Sequence, residues 1–274
     1  MSLKPISLNE FEKRLNKVCR FEIKPSIAVA LSGGPDSMAL TCLLNDWVNR
    51  KGGSLVSIIV DHNVRSESAK ECRRISYWME KKNINLKILK LKKINLKTNI
   101  MEYTRKKRYE VILNECSKLK ILHLFLGHHL NDKIETYLMR SKRLGNIIGL
   151  SSIPKIRELK STRLIRPLLD ISKERLIKTC EFYQQPWVQD PSNNNLKFER
   201  ARVRLFLQKK NMKFIKSKTK TIDNFVNKRD KYEGMISMFL LANLKFYKFG
   251  VFEIKKTNFL KLTNEIQIET IKRI

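Results

Sequence analysis

Two clusters in this sequence have the residue types and spacing to do chemistry. The first is Ser32-Gly33-Gly34-Pro35-Asp36-Ser37. Two glycines let a backbone bend and approach a ligand closely, and serine hydroxyls stand beside open N–H groups. A strand-to-helix turn of this composition can cradle an anion such as a phosphate. Pro35 suits the first turn of a helix, where its missing N–H would lack a partner anyway. Asp36 does not favour phosphate by itself; it suits holding Mg2+ or orienting the loop, or else it is a plain carboxylate on the helix dipole. A Walker A loop is excluded, since no Gly-Lys-Ser/Thr follows. The second cluster is Asp132 and Glu135, three residues apart and so on one helix face. Two acids near a phosphate site suit a cationic partner, unless they are simply acids favoured at a helix start. Arg105 and Arg108 also share a helix face, where they can clamp phosphate or coat a solvated surface. His128 and His129 have no third ligand at metal spacing and read as hydrogen-bonding residues that shape the site.

Elements must bring these clusters together. Pro25–Leu31 reads as a buried parallel strand ahead of the glycine loop, and Met38, Leu40, Leu43, Leu44, Trp47 and Val48 recur at helical spacing after it. Leu55–Val60 is a second buried strand, ending in Asp61-His62. Leu86–Leu89 is a third, and a helix over about 99–118 carries Arg105 and Arg108. Ile121–Gly127 is a fourth strand, and His128 to Asp132 open the next helix. An amphipathic helix over 7–19 precedes all of these. Strands alternating with helices at this spacing predict a Rossmann-like α/β fold, a parallel sheet with helices on both faces. Ligands in such sheets sit beyond the carboxyl ends of the strands. The clusters at 32–37, 61–68 and 127–135 all fall there. Past Gly149 a short strand within 161–169, a helix over 172–183 and a strongly basic helix over 199–210 follow. Ile222, Phe225, Ile236, Phe239 and Leu240 then imply two helices, and Phe246–Ile254 a strand or hairpin. The expected division is a catalytic domain over 1–215 and a small α-rich region over 216–274.

The chain has 274 residues and a formal charge of +31, so polyanions, nucleic acid first among them, will be attracted to it. Residues 215–274 hold thirteen Lys and Arg against six Asp and Glu, so both parts are basic. The five cysteines are widely spaced, with no Cys-x-x-Cys pair, which disfavours zinc ribbons and local iron–sulfur ligation. The first residues lack an apolar signal core, and no apolar run approaches the ~18 residues a membrane span needs. The expectation is a reduced, cytoplasmic protein with no membrane role.

Taken in order, these clusters resemble the tRNA(Ile)-lysidine synthetase family of PP-loop ATP pyrophosphatases. Residues 32–37 match its S-G-G-x-D-S loop, and Asp61-His62-Asn63-Val64-Arg65-Ser66-Glu67-Ser68 looks like its D-H-x-L-R-x-x-S segment. Thr104 to Tyr109 is similar to its A-R-x-x-R-Y helix, and Gly127 to Thr136 to its A-H-H-x-x-D-x-x-E-T stretch. Arg166-Pro167-Leu168-Leu169 and Asp190-Pro191-Ser192-Asn193 complete the series, with Arg200, Arg202 and Arg204 close behind.

The resemblance implies an enzyme that adenylates the wobble cytidine of a CAU-bearing isoleucine tRNA with ATP, then joins free L-lysine to C2 with release of AMP. ATP and Mg2+ would be its cofactors, with Ser32, Gly33, Gly34, Pro35, Asp36, Ser37, Asp61 and His62 at the nucleotide and Asp36 at the metal. Asp36, Asp132, Glu135, Arg108 and Arg200 would be catalytic, Asp132 and Glu135 would also recognise lysine, and Arg105, Arg202 and Arg204 would contact tRNA. A homodimer is compatible with it. Long members carry a further C-terminal RNA-binding domain, and this chain stops about where that domain would begin. The family's R-G-x-G turn stands here as Arg143-Leu144-Gly145-Asn146, one glycine short. The rival readings are a tRNA thiolase, which would want cysteines in the site loops, and a silent RNA-binding relative, which would need neither Asp36 nor the acid pair.

Overall fold

The structure, a computed structural model, describes residues 3–61, 68–91, 100–143, 145–189 and 196–274. His62 to Glu67, and Asp190 to Asn193, therefore lie outside the described residues. In chain order the elements begin with α1 (Leu8–Val18), β1 (Ser26–Leu31), α2 (Pro35–Lys51), β2 (Ser54–Asp61), α3 (Ser68–Lys81), β3 (Asn85–Lys90), α4 (Ile100–Lys118), β4 (His123–Leu126) and α5 (Leu130–Ser141). They continue with α6 (Ile147–Leu150), β5 (Ile156–Glu158), β6 (Arg163–Ile165), α7 (Lys173–Phe182), α8 (Glu199–Gln208) and α9 (Met212–Asn243). Last come β7 (Leu244–Phe246), β8 (Phe252–Ile254), α10 (Lys256–Phe259) and α11 (Asn264–Ile271).

The expected sheet is present. It runs β3-β2-β1-β4-β6-β5, parallel throughout except for β5, which pairs antiparallel with β6 at one edge. The strands alternate between two cores. Ile27, Val29 and Leu31 of β1 face the side covered by α2 and α7, with Trp47, Met38 and Leu176. Ala28 of β1, with Ile58 and Leu124, faces Ile112 and Cys116 of α4. Strands sandwiched between helical layers must be apolar on both faces, which is why β1 reads as an unbroken apolar run over Ile27–Leu31 and β2 as one broken only by the buried Ser57 over Leu55–Val60. The chain leaves β1 toward β2 on one side, while β4 returns on the other. The gap between β1 and β4 is thus the topological switch point, where a ligand can enter between diverging loops.

The chain divides into two compact units, one formed by Met1–Glu135 and Ile153–Gln208, the other by Thr136–Ser152 and Lys209–Ile274. In the second, α9 replaces the two helices expected there. Ile222 and Phe225 stand about four turns from Ile236 and Phe239, so both pairs fall on one face of a single helix; no proline interrupts 212–243. Ile222, Ile236 and Phe239 are buried, and Phe239 meets Phe259 of α10. Gly234 lies inside this helix, and a Cβ added to it meets nothing within 4 Å. Gly234→Ala is therefore expected to raise stability by about 0.5–1 kcal/mol in chemical denaturation. A loss of stability would show that the helix is broken there.

Candidate active site

The loop after β1 is built by its own hydrogen bonds. The Ser32 N–H donates to Ser37 Oγ at 3.1 Å, the two serine hydroxyls meet at 3.0 Å, and Ser37 Oγ donates to the Gly34 carbonyl at 3.1 Å. Gly34 caps α2 with no side-chain hydrogen bond, and Pro35 occupies the first turn. The helix start is thus not closed by a serine cap, and its N–H groups and dipole point beyond the strand end. Gly33 sits at φ +80, in the left-handed region, and its carbonyl accepts the Val188 N–H at 2.8 Å. An added Cβ there would come within 2.6 Å of Ile75 Cδ1. The Ile75 tip can give way, so the backbone conformation dominates the penalty. Gly33→Ala is expected to cost about 1–2 kcal/mol and to weaken nucleotide binding several-fold; unchanged values by calorimetry would reject the cradle.

Across the switch point, β4 ends at Leu126 and α5 begins at Leu130. Gly127 allows the two loops to touch, since a Cβ there would lie 3.1 Å from the Asp36 backbone. His129 is buried and joins the loops. Its Nδ1 accepts the Asn131 N–H at 3.2 Å, which places the neutral ring's proton on Nε2. Nε2 lies 3.5 Å from both Asp36 Oδ2 and Asp132 Oδ2, while the His129 N–H donates to Asp132 Oδ2 at 3.1 Å. Asp36 Oδ1 is buried without a hydrogen-bond partner. Burial pushes the Asp36 carboxyl above the usual aspartate range, against the pull of His129 and Lys173. Burial would raise Asp132 too, but His129, Arg200, His128 and the His129 N–H together hold it below the ordinary value. Burial drives the neighbouring His128 down to about 4, so it is neutral at pH 7.

The acid pair is joined to α8. Arg200 Nη2 donates to Asp132 Oδ1 and its Nε to Glu135 Oε2, each at 2.8 Å; Arg204 Nε donates to Glu135 Oε1 at 3.0 Å. Glu135 is 1% exposed. Arg204, expected at a tRNA surface, is thus held against an acid of the site. Arg202 is exposed and donates to the Leu196 and Lys197 carbonyls. Arg105 is exposed on α4, whereas Arg108 is half-buried beside the Tyr109 ring at 5.9 Å, and burial lowers its pKa. Asp61 is buried at the end of β2.

Two further residues had no role read from the sequence, although Arg166 stands in the quoted Arg166-Pro167-Leu168-Leu169 stretch. Lys173 acts electrostatically on Asp36. Arg166 is buried, donates to the Pro154 carbonyl, and has an unpartnered Nε. A charge inside the apolar run Leu164-Ile165-Arg166-Pro167-Leu168 was the available signal for it. Among the described residues no group of three or more His, Cys, Asp or Glu is arranged to hold a metal by itself. The unpartnered Asp36 oxygen at the cradle does fit Mg2+, which needs only one or two carboxylates when phosphates supply other ligands.

A family model described as a PP-loop domain matches residues 7–211. A tRNA(Ile)-lysidine synthase of Wolbachia sp. subsp. Brugia malayi is 32% identical over 249 residues, 89% of this chain and 58% of that one. One of Orientia tsutsugamushi is 38% identical over 190 residues, 69% of this chain and 42% of that one. The chain thus spans about half the length of these curated relatives. Among solved structures, a U34-tRNA thiolase of Methanococcus maripaludis with its [4Fe-4S] cluster superposes with a TM-score of 0.67 at 18% identity, covering 80% of this chain and 78% of that one. That likeness concerns the fold. With the glycine loop at the end of β1, the switch point beside β4 and the match across three-quarters of its length, the chain belongs to the PP-loop domain family.

Proposed function

We propose that the chain is a tRNA(Ile)-lysidine synthetase, a ligase forming a carbon–nitrogen bond. The observation that carries the proposal is the junction of two unlike charge environments at one switch point. An open helix start after β1 suits phosphate, the Asp132 carboxylate after β4, held in place by Arg200, suits an ammonium, and His129 links the two. Similarity to enzymes of that name supports the choice of acceptor.

In this reading Ser32, Gly33, Gly34 and Ser37 hold the ATP phosphates, Asp61 and His62 serve the nucleotide, and Asp36 would hold Mg2+, which would offset charge on the departing pyrophosphate. Arg108 and Arg200 add positive charge where that charge develops. The cytidine C2 oxygen attacks the α-phosphorus and pyrophosphate leaves, turning a poor leaving group into AMP. The lysine side-chain amine, once deprotonated, then bonds to C2 and expels AMP. Asp132 meets the ammonium and accepts its proton; Glu135, its two oxygens held by Arg200 and Arg204, sets the position of Arg200. Exposed Arg105 and Arg202 contact the tRNA. Among the described residues no helix is long and apolar enough to cross a membrane, and a cytoplasmic location goes with the substrate.

The thiolase reading is opposed by the cysteines. Four of the five are buried, and burial drives Cys42 to about 11 and Cys116 and Cys180 to about 12, away from the thiolate that sulfur transfer needs. Mass spectrometry of the anticodon nucleosides after incubation with ATP, Mg2+, L-lysine and the CAU-bearing isoleucine tRNA separates the readings. A gain of a lysyl group on cytidine is expected. A gain of sulfur, or no change, would reject the proposal.

A further inference from the structure

The second unit carries an exposed element that the chemistry above does not use. Strands β7 and β8 form an antiparallel hairpin with Leu244 opposite Ile254, Lys245 opposite Glu253 and Phe246 opposite Phe252. Opposed residues and those two apart share a face, so Leu244, Phe246, Phe252 and Ile254 line one side. Leu244 and Ile254 are half-buried at the base, but Phe246 is 74% exposed and Phe252 42%. Phe249 at the tip is fully exposed.

The tip conformation is unfavourable for that residue. Phe249 has φ +78, as does Gly250 after it. Bulky side chains avoid this left-handed region, whereas glycine or asparagine would occupy it at little cost. The hairpin is nonetheless ordered by local bonds. The Tyr247 N–H donates to the Val251 carbonyl at 2.8 Å, Tyr247 Oη donates to Glu253 Oε2 at 2.7 Å, and Asn258 Nδ2 donates to Asn243 Oδ1 at 2.7 Å near the base. A two-stranded hairpin is marginal in water on its own, so one that turns three phenylalanine rings outward calls for a partner.

The surrounding charge identifies the class of partner. Lys245, Lys248, Lys255 and Lys256 belong to the same stretch, Lys248 at the tip beside Phe249 in sequence and Lys245 on the face opposite the rings, across from Glu253; Glu253, the only acid in 244–256, also accepts from Tyr247. A second copy of the chain would bring these lysines against each other. A partner offering flat apolar faces on an anionic backbone fits instead, and unstacked RNA bases have that chemistry. We propose that the β7–β8 hairpin is an RNA-docking element in which Phe249, with the Phe246–Phe252 pair behind it, stacks on unpaired bases while the lysines of the stretch, Lys248 at the tip first among them, meet the adjoining phosphates. The inference rests on the reading of the chain as a tRNA-modifying enzyme and adds the element by which the second unit would hold the tRNA.

The test uses the full chain and an unmodified transcript of the CAU-bearing isoleucine tRNA. Phe249→Asn keeps the left-handed turn while removing the ring, and Phe249→Trp keeps a ring. The asparagine variant should bind the transcript about tenfold more weakly, with the salt dependence of binding unchanged because no charge is lost. It should raise by a similar factor the tRNA concentration needed for half-maximal AMP release, and Phe249→Trp should bind close to the parent. If Phe249→Asn binds RNA as the parent does while lysine-dependent AMP release persists, the docking role is overturned and the enzymatic reading stands. Weaker RNA binding by the asparagine variant of a chain that adds no lysine would uphold the docking role and reject the enzymatic reading. If sedimentation shows a dimer that Phe249→Asn dissociates with RNA affinity unaltered, the hairpin binds a second copy and the proposal is wrong.

Discussion

Asp36→Ala is expected to lower AMP formation by about a thousandfold or more while leaving tRNA affinity and folding nearly unchanged. The reason lies in where the carboxylate stands. It projects at the start of α2 with Oδ1 buried and unpartnered, so it contributes little to holding the fold. Burial raises its pKa above the unfolded value, so folding disfavours its charged form. The sign follows by linkage. The raised group costs stability at pH values above its folded pKa, and that cost fades as pH falls through the folded pKa toward the unfolded one. The alanine variant should therefore be at least as stable as the parent near pH 7, with less relative gain on acidification. A stable but inactive variant marks a carboxylate held for metal and phosphate; removing a group that interacts only with the reacting centre commonly costs two or three orders of magnitude. An unfolded variant would mark a structural acid instead, and retained activity would remove Asp36 from the mechanism.

Glu135→Gln is expected to act on both stability and lysine use. Glu135 is buried with Arg200 and Arg204 on its two oxygens, and the arginine side chains are 34% and 29% exposed. Breaking a fully buried pair costs about 3–5 kcal/mol, and partial solvation of the arginines lowers the expectation to about 2 kcal/mol. Because Arg200 also bonds Asp132, its displacement disturbs the acid proposed to meet lysine. The lysine KM should rise about tenfold, with a smaller effect on the KM for ATP. Pairing Glu135→Gln with Arg204→Gln should lose less stability than the two singles added together. Lost stability with an unchanged lysine KM would reduce Glu135 to a scaffold residue. Unchanged stability would contradict the ion-pair network itself.

The sheet was legible because strands buried on both faces must be largely apolar, as Ile27–Leu31 and, apart from the buried Ser57, Leu55–Val60 are, and because the glycine loop and the His128–Asp132 stretch punctuate them. The order of the strands was not, since pairing β1 with β4 joins residues nearly a hundred positions apart and leaves no local trace. The same limit applied at the site. Asp132 and Glu135 announced themselves by helical spacing, but their partners Arg200 and Arg204 come from a helix more than sixty residues later. The expectation of a lysine ammonium between two acids therefore did not include the guanidinium that bridges them. Arg166 was visible in the Arg166-Pro167-Leu168-Leu169 stretch, though its burial and its bond to the Pro154 carbonyl were not. In the second unit the apolar positions were read correctly as helical, but their spacing also allowed two helices, and only the absence of a breaker favours one.

The most direct test of the central claim, that the loop at 32–37 serves to cleave ATP between its α- and β-phosphates on behalf of an RNA acceptor, is to follow α-labelled ATP with the full chain and Mg2+. Label should appear as AMP only when both the CAU-bearing isoleucine tRNA and L-lysine are present, and with tRNA alone it should stay on the RNA. Release of ADP, or of AMP without tRNA, would contradict the account.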